Sequence, residues 1–251
     1  MKKIVFFLII GMVFISCEND NLSIIDGNRF LVDRIYDYHD ILIGEFYYNN
    51  KNQLIKASWN THSDEFVYKN NRVKEIKRTM IADNYIGDTT INLYYDNRGR
   101  IIKVGYNGAE PVNTYSYLPN GKLDLPGVEY DKNSNIVRFT QMLKNPDPIE
   151  DEPEEFEWIG EYEYDEKLKP NFGIGDVFVY SPLFNYNDDV RIINNLSHNN
   201  VTKFTNNGRV TDTYIYTYNE YGLPVSIETK WEGIETTEPM IWKLQYKEIS
   251  E

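Results

Sequence analysis

The side chains with chemical potential in this chain are three histidines, a large excess of carboxylates and four tryptophans. His39, His62 and His198 lie far apart, and none has the His-Glu-x-x-His spacing or paired cysteines of a metal site, so each reads as a turn or surface residue. No Gly-x-Ser-x-Gly is present to seat a nucleophilic serine. A glycosidase pair needs two carboxyls about 5 to 10 Å apart across a cleft, and 39 acidic residues offer too many pairs for spacing to select one. Asp147, Glu150, Asp151, Glu152, Glu154 and Glu155 are oxygen donors of the kind calcium takes, but they lack the ordered spacing and glycine of a calcium loop. They read as a solvated acidic linker, so no metal and no cofactor is expected. Trp59, Trp158, Trp231 and Trp242 are the remaining candidates: indole faces stack on sugar rings, and four on one surface would line a glycan groove. The alternative is ordinary packing on a half-buried sheet face. Trp158 stands apart because it follows the acidic run.

Cys17, the only cysteine, follows Met1-Lys2-Lys3, an apolar run from Ile4 to Ile15, and Ser16. That run has the length of a signal-peptide core and falls short of the roughly 20 residues a spanning helix needs. A lone free thiol is a liability in an oxidising compartment, and acylation would remove it. The segment resembles a bacterial lipoprotein signal, with Phe14 where the pattern prefers Leu, and Cys17 is the expected acceptor. Glu18, Asn19 and Asp20 resemble the acidic tag of Bacteroidetes lipoproteins exported to the outer face of the outer membrane. The expected division is a signal over 1–16, a lipidated tether over 17–25 and a single domain over 26–251 with an acidic loop at 145–158.

Composition narrows the fold and the partners. Two of the 26 basic residues leave with the signal, taking the formal charge from −13 to −15. No basic patch is visible in the sequence, which argues against nucleic acid as a partner. Tyrosine supplies 21 of the aromatic residues, and its ring suits a strand face while its hydroxyl tolerates partial burial. No segment after the signal holds an apolar period of 3.6 over three turns, so helices should be few and short.

One unit recurs: aromatic, x, aromatic, then four or five turn-forming residues, then an aliphatic run mixed with Lys or Arg. Copies begin at Phe46, Phe66, Leu93, Tyr115, Val128, Glu161 and Tyr216. Each reads as a β-hairpin, with period-2 alternation on both sides of Asn, Asp or Gly. The spacing of Tyr48, Tyr68, Tyr95, Tyr117 and Tyr130 predicts that successive hairpins pair into an all-β antiparallel meander of a dozen or more strands. A sheet that wide should curve strongly or close into a barrel-like shape, removing its edges.

The hairpin unit resembles the tyrosine-aspartate repeats of secreted bacterial shell proteins, through Tyr94–Ile101 and Tyr216–Pro224. Three segments, Tyr162–Ile174, Leu196–Thr205 and Tyr214–Ile227, resemble a Bacteroidetes lipoprotein family with a porin-like β fold. The resemblance implies a curved antiparallel sheet and a lipid anchor, and brings no activity with it. A membrane-inserted barrel is disfavoured, because Lys74, Lys77, Arg100 and Lys103 interrupt the strands that would need an unbroken apolar outer stripe. Asp88-Thr89-Thr90 resembles an O-glycosylation site of exported Bacteroidetes proteins; Asn195 and Asn200 begin Asn-x-Ser/Thr triplets. The first functional reading is a non-catalytic, lipid-anchored cell-envelope module at the outer membrane, facing the cell surface with the periplasmic face as the alternative, that binds glycan, peptide or another envelope protein. The second is a hydrolase of extracellular polymer using paired carboxylates, and the third a passive structural component.

Overall fold

The computed structural model describes residues 29–82, 85–111, 113–144, 155–174, 197–233 and 240–249. Cys17, the signal and tether, residues 145–154 of the acidic loop, and Asn195 lie outside them. The described residues form strands, turns and loops and no helix.

The strands in chain order are β1 (Arg29–Tyr36), β2 (Leu42–Tyr48), β3 (Leu54–Trp59), β4 (His62–Lys69), β5 (Arg72–Ala82) and β6 (Tyr85–Tyr95). Next come β7 (Ile101–Tyr106), β8 (Asn113–Thr114), β9 (Ser116–Tyr117), β10 (Leu123–Asp124), β11 (Val128–Tyr130) and β12 (Ile136–Lys144). The last are β13 (Glu155–Leu168), β14 (Asn199–Asn206), β15 (Arg209–Tyr218), β16 (Pro224–Trp231) and β17 (Met240–Ile249). Fifteen of them make one antiparallel sheet in the order β11-β12-β13-β14-β15-β16-β17-β1-β2-β3-β4-β5-β6-β7-β8, and β9 pairs with β10. The first strand therefore sits between the last strand and β2. Every described strand and buried side chain falls between Arg29 and Ile249, so a chain starting at Ser23 contains the whole described fold.

The turns explain the repeat. Asn49, Asp96, Asp131 and Asn219 each accept, on Oδ1, the backbone N–H groups two and four residues ahead, at 2.8 to 3.1 Å. The fourth turn position then takes positive φ: Asn52 at 59°, Gly99 at 86°, Ser134 at 71° and Gly222 at 73°. That is a type I turn closed by a left-handed residue and a bulge. The ladder shifts register beside it, at Tyr47/Tyr48, Tyr94/Tyr95, Glu129/Tyr130 and Thr217/Tyr218. The copy from Glu161 departs from the expected hairpin. Asp165 still accepts the N–H of Lys167, but the following residues offer no Gly or Asn for the left-handed position, and β13 runs on to Leu168.

Tyrosines tie one hairpin to the next. The hydroxyls of Tyr48, Tyr68, Tyr95 and Tyr117 donate to the carbonyls of Val32, Leu54, Val73 and Ile101 at 2.6 to 2.9 Å. Tyr130, Tyr164, Tyr216 and Tyr246 donate to Leu123, Ile136, Val201 and Pro224 at 2.6 to 2.9 Å. All eight lie toward the end of the sheet where the bulged turns are, here the turn end; the other is the loop end. Burial raises the Tyr95 phenol to about 12 and pushes those of Tyr48, Tyr68, Tyr164, Tyr216 and Tyr246 up as well.

The core lies on one face of the sheet. Toward the turn end it is apolar, with Val32, Phe46, Leu54, Phe66, Val73, Leu93, Ile101 and Val201 all buried. Phe172 and Ile174, from the segment after β13, join this cluster. The Phe172 ring meets Phe46 with centroids 5.0 Å apart, and the Asn171 carbonyl accepts the Val32 N–H at 2.9 Å.

Candidate functional site: the aromatic and polar core face

Strand alternation and register decide which way the tryptophans point. On β13, Trp158, Gly160, Tyr162 and Tyr164 share a parity, and Tyr164 packs against the core. Tyr162 pairs with Phe204, Phe204 with Asp212 and Asp212 with Trp231, which puts Trp158 and Trp231 on the same face. Ile227, two residues before Thr229 and four before Trp231, pairs with Trp242, and Gly44 pairs with Trp59 beside buried Ile35 and Phe46. All four tryptophans thus belong to the core face, in its loop-end half. Trp59 and Trp242 pack into the core, with Trp242 only 7% exposed, whereas Trp158 and Trp231 are half-buried.

The sequence placed Trp158 in a loop over 145–158, but residues 155–158 open β13. Phe156 and Trp158 alternate with acids and pair with Leu143 and Gln141 of β12, so strand pairing wins over the acidic composition.

Two glycines let rings lie flat across strands. A Cβ on Gly160 would fall 2.2 Å from Cε1 of Phe139, its register partner, and one on Gly44 would fall 2.8 Å from Cζ3 of Trp59, also its partner. A strand glycine marks such a close approach. Phe139 in turn meets Trp158 at 4.7 Å and 65° and stacks on Phe204 at 6.4 Å and 7°, while Phe204 meets Tyr162 at 4.8 Å. Phe139, Trp158, Tyr162 and Phe204 are each half-buried, and together they form an aromatic platform on β12 to β14.

Polar groups share this half of the face. Asp64 is fully buried, and its oxygens accept Nε and an Nη of Arg78 at 2.9 and 3.3 Å. His62, 3% exposed, sits with Nε2 3.4 Å from the second oxygen of Asp64, and Nδ1 lies 3.0 Å from the Thr61 hydroxyl. Trp59 stacks over the imidazole at 6.1 Å. His62 is thus a buried strand residue beside an ion pair, where the sequence suggested turn or surface; His39 does lie in an exposed turn, its ring 4.0 Å from that of Tyr38 and tilted by 47°. Both oxygens of Asp64 are held by one guanidinium, so the carboxylate fastens β4 to β5. Among the described residues, the core-face atoms His62 Nε2, Asn206 Oδ1, Thr229 Oγ1 and Trp242 Nε1 are buried without a protein hydrogen-bond partner. Ring faces interleaved with such groups suit a ligand that has apolar faces and hydroxyls.

A second polar cluster lies at the turn end, where the three resemblance segments meet. The Asn200 amide donates to Asp165 at 3.3 Å, to the Leu168 carbonyl at 3.2 Å and to the Tyr218 hydroxyl at 3.3 Å, and Tyr218 itself donates to Asp165. Asn135 joins Asn199 at 3.0 Å and accepts the backbone N–H groups of His198 and Asn199. These groups satisfy one another and fasten β14 to β13. Asn200, the start of a glycosylation-like triplet, is 2% exposed within this network. Beside it lie two cavities that share Ser134 and His198, of about 550 and 340 Å³. Among the described residues no group of three His, Cys, Asp or Glu is placed to hold a metal ion.

No family model and no curated protein matches the chain. Among solved structures, a porin-like protein from Bacteroides uniformis is similar over 90% of this chain and 99% of its own, at 12% identity and a TM-score of 0.42. The Photorhabdus luminescens Tc holotoxin pore is similar over 85% of this chain and 11% of its own, at 12% identity and a TM-score of 0.23.

Proposed function

We propose that the protein is a non-catalytic binding module of the cell envelope, anchored by lipid on Cys17 and facing the cell surface, whose core face takes a glycan at its loop end. The observation that carries this reading is the common facing of Trp59, Trp158, Trp231 and Trp242, with the half-buried platform of Phe139, Trp158, Tyr162 and Phe204. Sugars bind through ring faces stacked on aromatics and hydroxyls paired with buried polar atoms.

A curled, barrel-like sheet belongs to the same proposal, and chain reach supports it. Five strand spacings separate β13 from β1, about 24 Å along the sheet. Yet the Asn171 carbonyl, three residues past the end of β13, accepts the Val32 N–H on β1, and three residues reach at most about 11 Å. A sheet bent toward its core face would account for that shortcut. The edges β8 and β11 are also bridged in the chain by β9 and β10. Tyr117 bonds Ile101 on one side, while Tyr130 bonds Leu123 and Lys122 bonds the Asp131 carbonyl on the other.

The test is a glycan and polysaccharide array with the chain from Ser23 onward, beside a Trp158→Ala variant. The reading expects a defined glycan class bound by the parent and lost in the variant. Silence on every array, with a single envelope protein recovered in pull-downs, would end the glycan version.

A further inference from the structure

We infer that the turn end is a docking face for an anionic, phosphate-bearing membrane surface. The antiparallel meander brings the β2–β3, β4–β5, β6–β7, β9–β10, β11–β12 and β15–β16 connections to this end, together with the start of β1, the end of β13, the start of β14 and the end of β17. These connections carry Lys51, Lys69, Arg72, Arg98, Lys132 and Lys167, all exposed. Some acids there are turned to internal work: Asp96 is held by Arg100 at 2.7 Å, Asp131 by its own turn and Asn135, and Asp165 by Tyr218 and Asn200. Exposed acids at this end are Asp124, Glu129, Glu166, Glu220 and Glu248. Lys122, Lys132 and Lys169 border the two cavities, giving the face recesses rimmed by cations.

The opposite end carries both signs. Among the described residues, Asp40, Glu110, Glu155, Glu157 and Glu232 are exposed there beside Lys144, Arg209, Lys230 and Lys243, the last paired with Asp40. In a chain of formal charge −13, the turn end thus stands out by its cluster of exposed cations. β1 starts at the cationic end, so the tether to Cys17 leaves from the face that carries the lysines. Each exposed cation near an anionic leaflet contributes favourably and within about a Debye length, and a polybasic patch beside an acyl chain holds an anchored protein down on its membrane. The loop end and the tryptophan-bearing half of the core face are then directed outward. The orientation rests on the lipid-anchor reading; the cluster of exposed cations at the turn end does not.

The experiment is cosedimentation of the chain from Ser23, which lacks Cys17, with vesicles of phosphatidylglycerol and phosphatidylcholine and with phosphatidylcholine alone. Binding to the anionic vesicles only, reversed by high salt, is expected. Replacing Lys51, Lys69, Arg98, Lys132 and Lys167 by Gln should weaken it at least about tenfold, while Lys144→Gln with Arg209→Gln at the loop end should leave it unchanged. Equal binding to both vesicles, no loss in the fivefold variant, or capture of a soluble polyanion without vesicle binding would overturn the inference. Failure here would leave the anchor itself standing, since palmitate labelling of wild type against Cys17→Ser tests that separately.

Discussion

At the scale of single residues, tyrosine does structural work that no aliphatic side chain could. Each ring fills a half-buried site and each hydroxyl closes a bond of about 1 kcal/mol net to a neighbouring strand's carbonyl. Arg72, Arg100 and Lys122 lie over Tyr95, Tyr117 and Tyr130 at 5.7, 4.3 and 5.0 Å, so consecutive repeats also share a cation on the ring. Burial makes the phenols hold their protons more tightly when folded than when unfolded. Their stabilisation is therefore complete below the unfolded phenol value of about 10 and is lost as pH rises through the folded values. The urea midpoint should stay level up to about pH 9 and fall above about pH 10, with the buried ladder phenols, followed by residue-resolved NMR, ionising only as the protein unfolds. Ionisation of Tyr48, Tyr68 or Tyr246 at about pH 10 in a protein that remains folded would contradict the ladder.

At the scale of elements, the hairpins were legible because the turn chemistry is local. An Asn or Asp at the first position and a Gly, Asn or Ser at the fourth fix a bulged turn whatever the strands do, and Asn49, Asp96, Asp131 and Asn219 all obey. The copy at Glu161 misled because its aromatics match while Asp165-Glu166-Lys167-Leu168 has no residue suited to positive φ. Trp158 misled for a different reason: acidic composition hid a period-2 strand that only pairing with β12 reveals. His62 could not be read as buried, since a lone imidazole carries no periodic signal and its neighbours Asp64 and Arg78 come together only across the β4–β5 ladder. Phe172 lies outside any hairpin repeat, and the structure makes it part of the core. Phe172→Ala should cost about 3 to 5 kcal/mol, measured by urea denaturation. A loss below about 1 kcal/mol would mean that the segment does not seat against Phe46.

At the scale of the whole molecule, the order of strands determines which distant residues become neighbours. The four tryptophans gather on one face because the pairs Tyr162–Phe204–Asp212–Trp231, Ile227–Trp242 and Leu244–Ile35–Gly44–Trp59 carry one parity across the sheet without crossing a register shift, and no feature of the linear sequence states that. The cationic end escaped notice for the same reason: its lysines and arginines come one or two per turn, and only the meander collects them. The whole reading depends on the sheet bending toward its core face, so that the shortcut from Asn171 to Val32 and the bridge through β9 and β10 can both be made. The most direct measurement is the distance between spin labels on Thr114→Cys in β8 and Glu129→Cys in β11, in the chain from Ser23, which has no cysteine of its own. Those edge strands stand fourteen spacings apart in the sheet order, about 67 Å if the sheet lies open. A curled sheet whose edges meet across β9 and β10 predicts a narrow distribution below about 30 Å; a distribution centred near about 60 Å or beyond would contradict it.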